Sequence, residues 1–174
     1  ANFEYREAPV PTISDGQILV KNRYLSFDPT QRNWMVDKPG YLPPVALGEV
    51  IRAGSVSEVV ESKHPDFAAG DLVQTTGCWE DYTVVAPGQG PMGVNKLPPG
   101  VSPEMMLSVL GITGMTAYFG LLDIGQPKAG DTVLVSGAAG ATGSVAGQIA
   151  KLKGCHVIGI AGGEQKCQWL TDRA

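Results

Sequence analysis

The sequence predicts a mixed fold, a β-rich unit followed by the start of an α/β unit, and three observations carry that expectation. Short runs rich in Val, Ile, Thr and Tyr, punctuated by Gly, Pro and Asp, fill the chain from Gly16 to about Leu97. The pattern changes to helical spacing at VSPEMMLSVLG. Further on, VLVSGAAGATGSVAGQIAKLKGC joins an apolar run, a glycine-rich turn and a second helical run.

Taken in order, GQILVKNRYL, GEVIRAGSVSEVVES, DLVQTTG and EDYTVVAPG read as strands. Regular short strands between such turns suggest a closed or nearly closed all-β unit. In the next segment Ser102 suits an N-cap, Pro103 the first helical position and Gly111 the stop. Helical reading continues through MTAYFGLLDIG. DTVLVS is continuously apolar, as a parallel strand buried on both faces would be, and HVIGIA reads as its partner. The last segment, EQKCQWLTDRA, reads as a helix carrying Trp169 and Leu170 that ends without a glycine stop. These elements divide the chain into residues 1–112 and residues 113–174.

Composition narrows the partners. With 43% apolar and 17% charged residues, 174 residues can bury a core. A net charge of -4 argues against nucleic acid, which is held mainly by Lys and Arg against phosphate. No apolar run reaches the roughly 18 to 20 residues of a membrane span, and ANFEYREAPVP lacks the shape of a signal peptide, so a soluble, cytoplasmic protein is expected. Cys78, Cys155 and Cys167 are odd in number and far apart, which fits reduced thiols better than a disulfide framework or zinc knuckle. His64 reads as a turn histidine and His156 as the first residue of a strand, and neither is expected to bind metal. No GxSxG elbow supports a hydrolase.

The glycine-rich turn points to an anion. Gly140 and Gly143 sit where the chain must turn sharply from strand into helix, and a glycine permits an approach that a Cβ forbids. Free N–H groups at the helix start, with the positive end of its dipole, would then face a pyrophosphate. Ala138 replaces the first glycine of GxGxxG, and Ser144 instead of Lys after Gly143 excludes a Walker A loop. Gly143, Gly147 and Ala150 would let the helix pack closely on the sheet. At the tip of the second strand stand Ala161, Gly162 and Gly163, where NAD enzymes place an acid. Glu164 lies beyond the tip, where the helix dipole explains it, and Lys166 follows within reach of a 2′-phosphate.

GMTAYFGLLDIG, VSGAAGATGSVAGQIAKLKGCHVIGIAGGEQKCQWL, LSFDPTQRNWM and YLPPVALGEV together closely resemble the medium-chain dehydrogenase/reductase superfamily. Within it the zinc-independent branch of prostaglandin and leukotriene reductases and NADPH-dependent enone reductases is most similar. The resemblance implies a GroES-like β-rich barrel domain over residues 1–112 and a partial Rossmann domain over residues 113–174. The implied activity is reduction of the carbon–carbon double bond of α,β-unsaturated ketones or aldehydes, with NADP as cofactor and a homodimeric full-length parent.

Zinc-binding members carry a Cys after the first strands and a His in a GHE motif. Here SFDPTQR has no Cys and ALGEV has Glu49 after Gly48, so no metal is implied. By motif match, Gly140, Ala141, Thr142, Gly143 and Ser144 should meet the pyrophosphate, Gly162, Gly163 and Lys166 the 2′-phosphate, and Met115 and Thr116 the nicotinamide. Asp28, Arg32 and Trp79 are candidates for the substrate cleft wall, while the catalytic proton donor stays unassigned. Thr30 stands where many members carry an aromatic residue. A quinone reductase of the same superfamily, or a non-catalytic NADPH-binding protein, are the alternatives. Because only two strands of a doubly wound sheet are present, the chain is expected to be an inactive fragment.

Overall fold

The structure is a computed structural model that describes residues 3–36, 38, 40, 42–89 and 93–173. Tyr41, the first residue of YLPPVALGEV, lies outside the described residues. The chain divides into two compact units, Ala1–Pro103 and Glu104–Ala174.

The first unit is built on one antiparallel sheet. Its strands are β1 (Ile18–Leu25), β2 (Arg52–Ser62), β3 (Leu72–Cys78), β4 (Tyr82–Val85) and β5 (Asn95–Lys96), in the order β4-β1-β2-β3-β5. The four runs read as strands in the sequence supply β1 to β4. The two residues of β5, paired with Val73 and Gln74, were not distinguished there because so short a run has no period to read. The ladder ends at β4 on one side and β5 on the other, so among the described residues hydrogen bonding does not close the sheet upon itself.

β1 sits between β2 and β4, and its first three residues are all buried. Ile18, Val20, Val59 and Val73 form the core, backed by Phe67, Val85 and Val94. Each such burial contributes roughly 1.5 to 3 kcal/mol. β1 slips register against β2 at Leu19/Val20 and between Asn22 and Tyr24. Bulges of this kind bend a strand and re-aim its side chains. Between β1 and β2 lies a short helix, α1 (Thr30–Trp34), in a stretch to which the sequence assigned no element. It starts because the Asp28 carboxylate accepts hydrogen bonds from the Thr30 backbone and hydroxyl, at 2.9 and 2.7 Å.

α2 (Pro103–Leu107) starts at the last residue of the first unit and runs into the second, where α3 (Ile112–Phe119) follows. Gly111 is not a helix stop, as expected from VSPEMMLSVLG, but the N-cap residue of α3, and α2 ends at Leu107. The cause is close packing of backbone: a Cβ on Gly111 would lie 2.7 Å from the Met106 carbonyl, and one on Gly114 only 1.8 Å from that of Val109. Past Phe119 the helix widens into a π turn, Gly120–Gly125, closed by Gln126 at φ 48 in the left-handed region.

β6 (Thr132–Ser136) and β7 (His156–Ile160) pair in parallel, joined by α4 (Ala141–Leu152), and α5 (Glu164–Arg173) follows. This is a βαβ unit, the start of a Rossmann domain. α4 and α5 cover one sheet face: Val157 meets Gly147, and Gly159 faces Leu170. On the other face Leu134, Ile158 and Ile160 stay more than half exposed. No helix among the described residues is long and apolar enough to cross a membrane.

Candidate functional site

Two sites can be built from the residues upward, one in each unit. In the second unit, the chain leaves β6 at Ser136 and turns at Gly137, whose φ of +61 lies in the left-handed region that glycine adopts at least cost. The Gly137 carbonyl accepts a hydrogen bond from Gly140 N at 2.8 Å. Ala138, only 3% exposed, donates its N–H to Ile160 O at 3.0 Å and so ties the turn to the end of β7. Gly140 then caps α4 in an extended conformation, with no side-chain cap and no acid in the first turn.

No side chain therefore caps that helix start, and N–H groups in such a position can meet an anion. Gly143 is what allows the helix to sit so close to the turn. A Cβ there would stand 2.4 Å from the Gly137 carbonyl oxygen. Gly147 has no such duty: its Cβ would reach Val157 Cγ1 at an ordinary 3.7 Å, so of the expected stripe Gly143, Gly147 and Ala150 the close packing rests on Gly143 and the fully buried Ala150. Ser144 donates its hydroxyl back to Ala141 O at 3.2 Å.

Gly162 and Gly163 make the bend from β7 into α5, Gly163 at φ +86, and Lys166 lies exposed in the first turn of α5. Met115 and Thr116 are on α3, which packs on α4. Thr116 spends its hydroxyl on its own helix, donating to Ile112 O at 2.6 Å, and Met115 is half exposed. Gly137 is the residue that sequence reading missed. Its signal is a glycine directly after an apolar run, one residue before the GxGxxG frame, which opens at Ala138.

In the first unit, Asp28, Arg32 and Trp79 meet at one cavity of about 340 Å³. Pro29, Gln31, Met35, Ile51, Phe3 and Phe27 complete its lining. Phe3 and Phe27 flank Trp79 with ring centroids 5.4 and 6.1 Å from it. Gln31, 5% exposed, anchors the floor by donating to Ser26 O and Arg52 O at 3.0 and 3.3 Å. Asp28 holds α1 in place through Thr30, whose hydroxyl is thereby occupied. Phe27 went unnamed in the sequence because its 87% exposure leaves no periodic signature.

Beside the cavity, burial and the Glu80 carboxylate push the Cys78 thiol up to about 11, away from the reactive thiolate. Among the described residues no three His, Cys, Asp or Glu side chains converge as a metal site would require. Glu49, of the ALGEV stretch, accepts from Ala46 N at 3.2 Å.

Residues 1–94 match the family described as the N-terminal domain of oxidoreductase. The chain belongs to that family. This places it in the medium-chain dehydrogenase/reductase superfamily that the sequence resembled, and makes the β-rich unit a GroES-like domain. Among similar curated proteins, NADPH-dependent curcumin reductase of Escherichia coli (strain K12) is 47% identical over 171 residues, covering 98% of this chain and 49% of the relative. Prostaglandin reductase 1 of Bos taurus is 38% identical over 170 residues, with 98% and 49% covered. The crystal structure of CurA in complex with NADPH from Vibrio vulnificus superposes with a TM-score of 0.87 at 45% identity, covering 97% of this chain and 49% of that one. The chain spans about half the length of the curated relatives it matches.

Proposed function

We propose that this protein is an NADPH-dependent oxidoreductase that reduces the carbon–carbon double bond of α,β-unsaturated ketones and aldehydes. The observation that carries the cofactor half is the uncapped start of α4 above Gly137 and Gly143. A cradle that a Cβ would fill, with backbone N–H groups and no competing acid, fits a pyrophosphate. Ala141, Thr142, Gly143 and Ser144 would hold it, with Gly140 at the cap. Gly162 and Gly163 leave room at the β7 tip, and Lys166 offers a cation to a 2′-phosphate. Met115 and Thr116 are assigned to the nicotinamide side. When bound, NADPH supplies the hydride that adds to the substrate's β-carbon.

The substrate half rests on the cavity between α1 and Trp79. Its aromatic and apolar lining suits a flat conjugated carbon skeleton, and desolvation there favours hydrogen bonding to a carbonyl oxygen that becomes an enolate. Arg32 is the cavity's cationic group and can face that oxygen. Asp28, engaged with Thr30, keeps α1 in position rather than transferring a proton. Relatives named for curcumin and prostaglandin reduction, and a structure titled as an NADPH complex, support both halves. The division into a substrate domain over 1–112 and a cofactor domain from 113, a cytoplasmic location and homodimerisation belong to the same proposal.

The test follows NADPH absorbance in the full-length protein with 4-phenyl-3-buten-2-one and, separately, with a simple quinone. Loss of NADPH with the enone supports the reading. Consumption with the quinone alone would replace it with a quinone reductase, and binding of NADPH without turnover of either would make the protein a non-catalytic binder.

A further inference from the structure

The turn that carries Trp79 is held by one polar residue that does not line the cavity. Trp79 stands on the turn that joins β3 to β4, and three carbonyls of that turn converge on Asn22 of β1. The side-chain amide Nδ2 lies 2.8 Å from Glu80 O and 3.3 Å from Cys78 O, and it also meets Thr83 Oγ1 at 3.0 Å. The Asn22 backbone N–H donates to Asp81 O at 2.8 Å. Cys78 and Glu80 are the two neighbours of Trp79, so the Trp79 peptide is gripped on both sides.

The grip has one orientation. Carbonyl oxygens only accept, so the nitrogen of the Asn22 amide must face them. Its oxygen faces Ser57, whose hydroxyl donates to Oδ1 at 2.7 Å. Ser57 is fully buried beside the equally buried Ser55, their hydroxyl oxygens 3.1 Å apart. Gly77 makes room for this cluster: a Cβ there would lie 2.7 Å from Ser55 Oγ and 2.9 Å from Asn22 Oδ1. A satisfied polar cluster anchored on two fully buried serines favours one geometry, since turning the amide over would leave the Ser57 hydroxyl and the carbonyls of the turn without their partners.

We propose that Asn22 is a positioning residue: it sets the pose of Trp79, and through Trp79 the affinity of the cavity for a flat aromatic group. At its own backbone Trp79 is held, among the described residues, by the bond from its N–H to the carbonyl of Ile51 at 2.8 Å, and Ile51 itself lines the cavity. Trp79 is 38% exposed, with, among the described residues, only the Phe3 and Phe27 rings against its own, so the backbone of the turn has a large share in setting its pose. The ligand part of this inference rests on the reading of the cavity as the substrate site, whereas the Trp79 part does not.

The experiment uses the chain with Trp34→Phe and Trp169→Phe, which leaves Trp79 as the only tryptophan. Steady-state anisotropy of Trp79 and its quenching by 4-phenyl-3-buten-2-one are measured with Asn22 and with Asn22→Ala. Asn22→Thr, which keeps one hydroxyl donor, serves as the milder variant. Affinity is also followed without Trp79 by equilibrium dialysis of the probe against Trp79→Ala and the double variant. Asn22→Ala should lower the anisotropy and weaken the probe about tenfold, Asn22→Thr should lie between, and in the Trp79→Ala background the loss should shrink below about twofold. Unchanged anisotropy in a folded variant overturns the proposal, as does an equal loss of affinity with and without Trp79. Failure of both Asn22 variants to show a cooperative thermal transition overturns it too, since Asn22 would then be a requirement of the fold. If the probe does not bind the unaltered chain, the cavity reading fails, and the anisotropy alone decides the role of Asn22.

Discussion

Gly143 stands so close to Gly137 that a Cβ on it would sit 2.4 Å from the Gly137 carbonyl oxygen. Gly143→Ala must therefore push the start of α4 away from the turn, and NADPH affinity of the full-length protein should fall at least about tenfold, which is about 1.4 kcal/mol. Gly147→Ala, which meets only an ordinary contact at 3.7 Å, should leave affinity unchanged. Gly137→Ala acts differently: its φ of +61 costs an L-residue about 1 to 2 kcal/mol, so its first effect should be a lower melting temperature. Titration of NADPH fluorescence and thermal unfolding separate the three.

Lys166 is exposed at the start of α5, next to a β7 tip without an acid. A charge-assisted hydrogen bond to a 2′-phosphate is worth roughly 1.5 to 3 kcal/mol. Lys166→Ala in the full-length protein should accordingly weaken NADPH by about one to two orders of magnitude and NADH hardly at all. Equal losses for both cofactors would show that the lysine supports the fold of α5 and not the phosphate.

Much of this was legible in the sequence because strands and glycines write locally. β1 to β4, β6 and β7 each carry their own alternating or continuous apolar run, and the βαβ turn announces itself by composition. Elements fixed by particular side-chain and backbone contacts, which leave no period in the sequence, were not legible. α1 depends on an aspartate reaching its Thr30 neighbour. Gly111 turned from stop to cap because backbone from Met106 crowds it. The candidate wall residues Asp28, Arg32 and Trp79 were named from resemblance, and the structure brings all three to one cavity. The roles of Asn22, Ser55, Ser57 and Gly77 come only from cross-strand pairing, which no spacing along one strand records.

The thiol of Cys78 is held in its protonated form well above the ordinary range, at about 11, by burial first and the Glu80 carboxylate second. At pH 8 roughly one part in a thousand is thiolate, and the thiolate is the nucleophile. Alkylation by iodoacetamide, mapped by peptide mass, should therefore label exposed Cys167 first and Cys78 last, with the Cys78 rate rising about tenfold per pH unit toward 11. Equal labelling of the two at pH 8 would contradict the environment described for the β3 end.

Asp71 ties the start of β3 to β5. Its carboxylate lies 2.7 Å from Lys96 Nζ and accepts from Ala68 N at 2.8 Å, and these hold its pKa below the ordinary 3.8, Lys96 first. A depressed native pKa gives stability that is present above the unfolded value and lost as the pH falls through the native one. Asp71→Asn should lower the melting temperature at pH 7. That difference should vanish as acid takes the pH down through the native pKa. A gap of constant size across this window would mean that the pair contributes shape and not charge.

The central claim is hydride addition to an enone, and isotope placement tests it most directly. The full-length protein is given NADPH deuterated at the transferred position of its nicotinamide, with 4-phenyl-3-buten-2-one as substrate. The product should be the saturated ketone with one deuterium on the carbon that was β to the carbonyl. An allylic alcohol with deuterium on the carbonyl carbon, or no transfer of label to any carbon of the substrate, would contradict the account.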